Sequence, residues 1–383
     1  MIHYARIISC YSADTSGVCS ALYELGGLTV VHDASGCNST YATHDEPRWY
    51  DMDSMIYVSG LTEIDAVMGN DEKFIDDVCK CAQQLSPKFI TICGSPMPAM
   101  TGTDFDALAS IIEQRSGIRT HAMHTNGMKS YLYGASQAFE MLARCYCGSK
   151  GTKSAKPRVN IIGATPLDLS RQEIVESIFR WLEENGFERG CCMAMGSRFE
   201  ELESAGDAAC SLVVSASGLE AAKVLEERFS VPYVVGIPLG KEFAALLAQD
   251  VKSAAAQKKS IISCSDRNCE QADNTVAVVG ESVYSGSLAR AYSLQTGKPV
   301  RVIHTLDTCA ELVAACDKKI ADEDKLEEEF THCSQVIADP LFKPIVHSGT
   351  DFLPLAHEAF SGRCFRKTIP DLVDKNIDLE KRS

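Results

Sequence analysis

The feature that most constrains this chain is an alternation, repeated in three blocks, of short apolar runs with amphipathic stretches of helical period. In the first block, residues 6–9, 28–32 and 89–92 read as strands, and 17–25, 71–85, 104–115 and 130–146 as helices. The small, basic stretch 148–157 (GSKGTKSAKP) lacks large apolar residues and reads as a boundary. The second block predicts strands at 158–163, 210–215 and 232–237, with helices at 172–185, 218–229 and 242–257. A polar stretch, 263–274, leads to the third block, with strands at 275–279, 299–304 and 335–338 and helices at 285–296 and 308–316. A strongly acidic segment, 321–329, precedes its last strand. Strands and helices alternating at this length imply parallel sheets covered on both faces. The expected fold class is α/β, with three Rossmann-like domains over 1–150, 151–262 and 263–383. Ligands of open α/β sheets bind beyond the carboxyl ends of the strands, so the expected site is a cleft where those ends meet.

Cysteine supplies the chemistry. Cys10, Cys37 and Cys93 each end a predicted strand or lie in the turn after it, and their spacings of 27 and 56 residues exclude a local zinc knuckle. Thiolates brought from separate strand ends can share one soft metal site, as in iron–sulfur clusters. Burial as small apolar side chains is the competing explanation. Gly36 beside Cys37 leaves backbone N–H groups free to bond cluster sulfurs. Cys79 and Cys81 lie mid-helix, two apart, on different sides. Cys19, nine residues after Cys10, is the remaining substitute in the first block.

The 17 cysteines, without a secretory leader pattern, predict reduced thiols in a cytoplasmic protein of an oxygen-free cell. A net charge of −15 argues against nucleic acid or an anionic membrane as partner, and no apolar run is long enough to span a bilayer. Gly163 and Gly280 end strands, but neither opens a dinucleotide fingerprint or a phosphate loop. ATP, where involved, is therefore expected on a partner. The loop 337–363 gathers His347, His357, Pro340, Pro354 and Arg363 after a strand and is a candidate cleft lining.

The run 60–74 (GLTEIDAVMGNDEKF), with Cys10, Gly36-Cys37, 94–104 (GSPMPAMTGTD) and Ser361-Gly362-Arg363, resembles nitrogenase component 1 and nitrogenase-like oxidoreductases. That family includes molybdenum–iron protein subunits, cofactor-assembly scaffolds, dark-operative protochlorophyllide reductase and nickel-tetrapyrrole reductase. The resemblance implies a 4Fe–4S or larger cluster at a subunit interface, held by Cys10, Cys37 and Cys93, with Ser95-Pro96 as the alternative match for the third position. It implies a homodimer or a pairing with a sister subunit, and electrons delivered by a separate iron–sulfur ATPase. His357 corresponds to the histidine beside the family's catalytic cofactor and is the candidate proton or hydrogen-bond donor. The family's cofactor cysteine falls at Val214-Ser215-Ala216, where this chain has no thiol. No iron–molybdenum cofactor is therefore expected, and an open cavity for an organic substrate or a different cluster is. A non-catalytic scaffold for metallocofactor assembly is the alternative function.

Overall fold

The computed structural model describes residues 6–7, 9, 13–34, 46–151, 154–267 and 275–379. Their strands make three sheets, parallel throughout, each drawn from one stretch of sequence. The first holds β1 (Leu28–His32), β2 (Ile56–Val58), β3 (Ile90–Gly94) and β4 (Thr120–Met123), in the order β2-β1-β3-β4. The second holds β5 (Arg158–Ala164), β6 (Glu188–Ala194), β7 (Cys210–Val213), β8 (Tyr233–Val235) and β9 (Ile261–Ile262), in the order β6-β5-β7-β8-β9. The third holds β10 (Thr275–Val279), β11 (Val300–His304), β12 (Lys318–Lys319), β13 (Cys333–Ala338) and β14 (Asp351–Pro354), in the order β12-β11-β10-β13-β14.

Central strands such as Thr275–Val279 are buried along their whole length, which is why they read as unbroken apolar runs. In the first sheet the two faces separate by the period of the strand. Val30, Ile90 and Ile92 pack on Phe74, Ile75, Leu108 and Ile112, whereas Val31 and Cys93 face the larger core shared with the other sheets. Strand order reverses between β1 and β3, between β5 and β7, and between β10 and β13, so each sheet has one switch point at its carboxyl edge.

Glycine permits two close approaches. Helices Asp14–Leu22 and Tyr131–Cys145 cross at Gly17 and Gly134, where a methyl group on either would overlap the other helix's backbone. Gly218, at the start of helix Leu219–Phe229, lies against the backbone of Ile162 and Gly163. Gly163 thus permits close helix-on-strand packing.

Three expectations are corrected. Arg6, Ile7 and Ser9 lie outside any strand, because the Glu323 carboxylate takes the backbone N–H groups of Arg6 and Ile7 at 2.9–3.2 Å. The helix expected at 308–316 is reduced to the short 3-10 turn Ala310–Leu312. Asp317 draws the chain away by accepting the N–H groups of Ala314 (2.8 Å) and Val302 (2.9 Å), which leads into β12. Among the described cysteines most are free, but Cys316 is disulfide-bonded, so the thiols are not uniformly reduced. The acidic segment forms helix Glu323–Thr331, capped by Asp322, and β6 is a strand that periodicity did not mark.

The C-terminal segment returns from the third sheet to the second. Val373 bridges Leu239, Gly240 donates to Leu372 O (3.1 Å), and Arg171 donates to Ile369 O (3.0 Å).

Candidate functional site

The switch points of the second and third sheets meet, and acids and hydroxyls lie within two residues of the strand ends there. After β5, Thr165 precedes helix Pro166–Leu169, and its hydroxyl donates to Asp168 Oδ2 at 3.0 Å. After β7 comes the turn Ser215–Ala216–Ser217. After β10, Glu281 caps helix Ser282–Thr296 by accepting the N–H groups of Val283 (3.0 Å) and Tyr284 (2.8 Å). Its other oxygen accepts the N–H of Ala216 at 2.8 Å, so one carboxyl group joins the two sheets at the place where the family resemblance locates a cofactor cysteine.

Asp168 and Glu281 are both buried. Three backbone donors and a helix N-terminus favour ionised Glu281. Burial, reinforced by the negative charge of Asp168, outweighs them and pushes its carboxyl up to about 8. Burial and the neighbouring Asp168 thus hold Glu281 towards its neutral form.

His357 follows β14 and caps the short helix Glu358–Ser361. Asp339, the first residue after β13, accepts its backbone N–H at 2.8 Å. Its ring Nδ1 accepts the N–H of Ala359 at 3.3 Å, which fixes the ring proton on Nε2. That Nε2 is buried without a hydrogen-bond partner among the described residues. Burial lowers the imidazole to about 4, so His357 is a neutral N–H donor at physiological pH. Tyr284 holds the ring edge-on, with centroids 5.1 Å apart.

Below His357 lies a cavity of about 10 Å³, lined by Asp168, Ser170, Tyr284, Glu358, Ile237 and Leu372 among others. That is room for a single water. The expected open cavity is thus closed in this structure. Ser170 adopts a left-handed backbone (φ 63°) and donates to Glu358 at 2.8 Å, while Arg366 pairs with the other oxygen of Glu358. Such strain is held in place by the surrounding contacts. His347 and Arg363, from the same loop, are exposed and stand apart from the cavity.

Of the thiols singled out by sequence, Cys10 and Cys37 lie outside the described residues. Cys93 is fully buried on β3, and burial, then the nearby Cys19 and Asp14, raise its thiol well above the usual range. Ser95 occupies the position just beyond the strand, its hydroxyl donating to His32 O at 2.9 Å. β1 and β3 are adjacent, so the segment leading from His32 toward Cys37 starts beside Gly94. Among the described residues no three metal-ligating side chains converge. The donor set visible there is Cys93 with Cys19, soft thiols suited to iron–sulfur ligation but short of a complete site.

Around this carboxyl edge, helix Glu63–Met68, helix Pro96–Thr101 and the loop after β4 carry Ile64, Val67, Met68, Met100 and Met128, each 74–87 % exposed. Large apolar side chains gathered so at a surface mark an interaction site, and methionine suits an adaptable one.

Sequence reasoning missed Asp168 and Glu281. In Thr165-Pro-Leu-Asp168 and Gly280-Glu281-Ser282 each reads as an ordinary helix-start acid, and only the meeting of two sheets buries them.

The sequence model of the family described as nitrogenase component 1 type oxidoreductase matches residues 18–313. The nitrogenase iron-molybdenum cofactor biosynthesis protein NifE of Sinorhizobium fredii is 25% identical over 279 residues, 70% of this chain and 55% of that protein. NifE of Clostridium pasteurianum is 24% identical over 226 residues, covering 56% of this chain and 48% of its own length. A light-independent protochlorophyllide reductase polypeptide of Gloeothece citriformis is 25% identical over 182 residues, 45% of this chain and 36% of that protein. The chain thus spans about half the length of the NifE relatives it matches. The solved structure of nitrogenase Cp1 at pH 6.5 superposes with a TM-score of 0.67 at 16% identity, covering 98% of this chain and 92% of that one, a likeness of fold. With its three parallel sheets and a family match over most of its length, the chain belongs to the nitrogenase component 1 type oxidoreductases.

Proposed function

We propose that this chain is the catalytic component of an ATP-dependent reductase, acting on a substrate in the cleft between the second and third sheets. The observation that carries this reading is the neutral, unpartnered Nε2 of buried His357 over a cavity that Asp168 also lines, next to switch points that the Glu281 carboxyl joins. Cys10, Cys37 and Cys93 hold a 4Fe–4S or larger cluster, which supplies low-potential electrons when bound. Those electrons come from a separate iron–sulfur ATPase docked on the apolar cluster around Val67 and Met68, with the chain acting as a homodimer or beside a sister subunit. His357 donates a hydrogen bond from Nε2 to the substrate, and the buried acids supply its protons.

The likeness to NifE favours a second reading, a scaffold on which a metallocofactor is assembled. Against it, the Ala216 turn has no thiol and is occupied by Glu281. Anaerobic reduction of the chain's cluster by a candidate iron–sulfur ATPase, with and without ATP, separates the two. Reduction that needs ATP supports the reductase. Equal rates without nucleotide, or no iron after reconstitution, overturn it, and release of a bound metallocofactor to another protein would establish the scaffold.

A further inference from the structure

We propose that the cavity between the carboxyl end of β1, the edge strand β2 and helix Asp71–Leu85 is a binding site for a small ring-bearing amine in its ammonium form. The cavity lies on the face of the first sheet turned away from the large shared core, against Val30, Phe74 and Val78. The proposal does not depend on the reductase reading.

The cavity presents a hydrogen-bond acceptor that lacks a donor. His32, the last residue of β1, is only 5 % exposed and lines it. The position of the ring proton follows from one hydroxyl. Ser59 Oγ has three polar neighbours: the Asp33 N–H at 3.1 Å, the Asp33 carbonyl oxygen at 3.3 Å and His32 Nδ1 at 2.9 Å. A serine hydroxyl has one proton to give and two lone pairs to receive. The Asp33 N–H can only donate to it, and the Asp33 carbonyl can only accept from it. The serine proton therefore goes to the carbonyl, and His32 Nδ1 supplies its own. Nε2 is then a bare lone pair, and no described residue hydrogen-bonds to it. Burial lowers the imidazole below its usual range, against the opposing charges of Asp71, Asp33 and Asp65, so the ring is neutral at pH 7. A buried acceptor without a donor is costly. An occupant with an N–H group would satisfy it.

Size and charge narrow the occupant. The cavity measures about 230 Å³. An apolar cavity of about 150 Å³ takes benzene, so this one has room for one ring and a short arm. Val30, Phe74 and Val78 supply the apolar wall, with the Phe74 and His32 rings 4.2 Å apart. Tyr57, 42 % exposed on the edge strand, offers an aromatic face to a cation at the rim. The lining carries Asp65 and Asp77 against Lys73. Lys73 is tied to Asp65 at 2.7 Å, and Asp65 also accepts from Thr62 and Asn70. Asp77 has only Lys80 near it, at 3.6 Å, and remains available to a ligand. With Asp33 and Asp71 adding negative charge close by, the surroundings favour a cation over an anion. An ammonium group meets both demands at once, a donor for Nε2 and a positive charge for the acids.

The test is titration of the full-length protein with three probes of one shape: phenethylamine, 2-phenylethanol and 3-phenylpropanoate. The readouts are calorimetry and the imidazole nitrogen resonance of His32, assigned by its loss in His32→Leu. Phenethylamine should bind and shift that resonance. The alcohol should bind about tenfold more weakly, for want of a charge-assisted hydrogen bond, and the carboxylate should not bind. Asp77→Asn, a surface change that leaves the fold intact, should weaken the amine by about threefold and leave the alcohol unchanged. His32→Leu should erase most of the preference for amine over alcohol. No binding of phenethylamine at millimolar concentration would overturn the proposal. So would equal binding of the three probes, or unchanged amine affinity in Asp77→Asn. Should His32→Leu not fold, the probe series and Asp77→Asn decide alone. None of these measurements involves a cluster or electron delivery, so their failure leaves the reductase reading untouched.

Discussion

At the scale of the residue, Glu281 shows two opposed effects and which one wins. Three N–H groups stabilise its carboxylate, yet burial beside Asp168 keeps it protonated. Its folded pKa, about 8, lies above its ordinary value of 4.5, so the folded protein binds the extra proton between those limits. Its contribution is therefore fully present below about pH 4.5 and is lost as pH rises through about 8. Glu281→Gln, which keeps the shape but cannot ionise, should flatten the decline of thermal midpoint over that window. An unchanged pH profile in the variant would show that Glu281 is ionised in the fold. His357 was singled out in the sequence through the family resemblance, from its place before Ser361-Gly362. Glu281 was not, since an acid that opens a helix usually faces water, and its burial depends on Ala216, 65 residues earlier.

Among the elements, inner strands and long amphipathic helices were legible because burial on two faces or one leaves a period in the sequence. The helix expected at 308–316 failed because periodicity records apolar positions and not what a distant charge does to the backbone. Asp317 is held by Arg267 at 2.5 Å, with both side chains at most 2 % exposed, and by His304 at 3.3 Å. Anchored in this way, its carboxylate captures the two N–H groups that bend the chain into β12. Asp317→Ala should cost about 3–5 kcal/mol in chemical denaturation, since it strands a buried guanidinium. Replacing the pair together, Arg267→Met with Asp317→Leu, should recover most of that loss. A small effect of the single change would mean that water reaches Arg267. Edge strands such as β6 and the two-residue β9 and β12 left too short or too mixed a pattern to read.

For the whole molecule, three parallel sheets followed from the alternation of strands and helices, but their mutual placement did not. It rests on contacts far apart in sequence, such as Val373 with Leu239 and Arg6 with Glu323. The exposed apolar cluster at the first sheet's carboxyl edge is a property of this scale too, because it joins residues 64 to 128. Val67→Asp should reduce ATP-dependent electron delivery by about tenfold or more, the loss of one interface anchor. It should leave unchanged both the fold and cluster reduction by a small chemical reductant. Equal delivery in the variant would move the docking surface elsewhere. The water-sized cavity under His357 has a kinetic consequence. Any substrate larger than water meets a closed seam and waits for the second and third sheets to part. Observed affinity is then the intrinsic affinity diluted by the fraction of molecules that are open. Association should level off with ligand concentration at the rate of breathing, and loosening the C-terminal strap, for example at Arg171, should raise that plateau before it alters any step of chemistry.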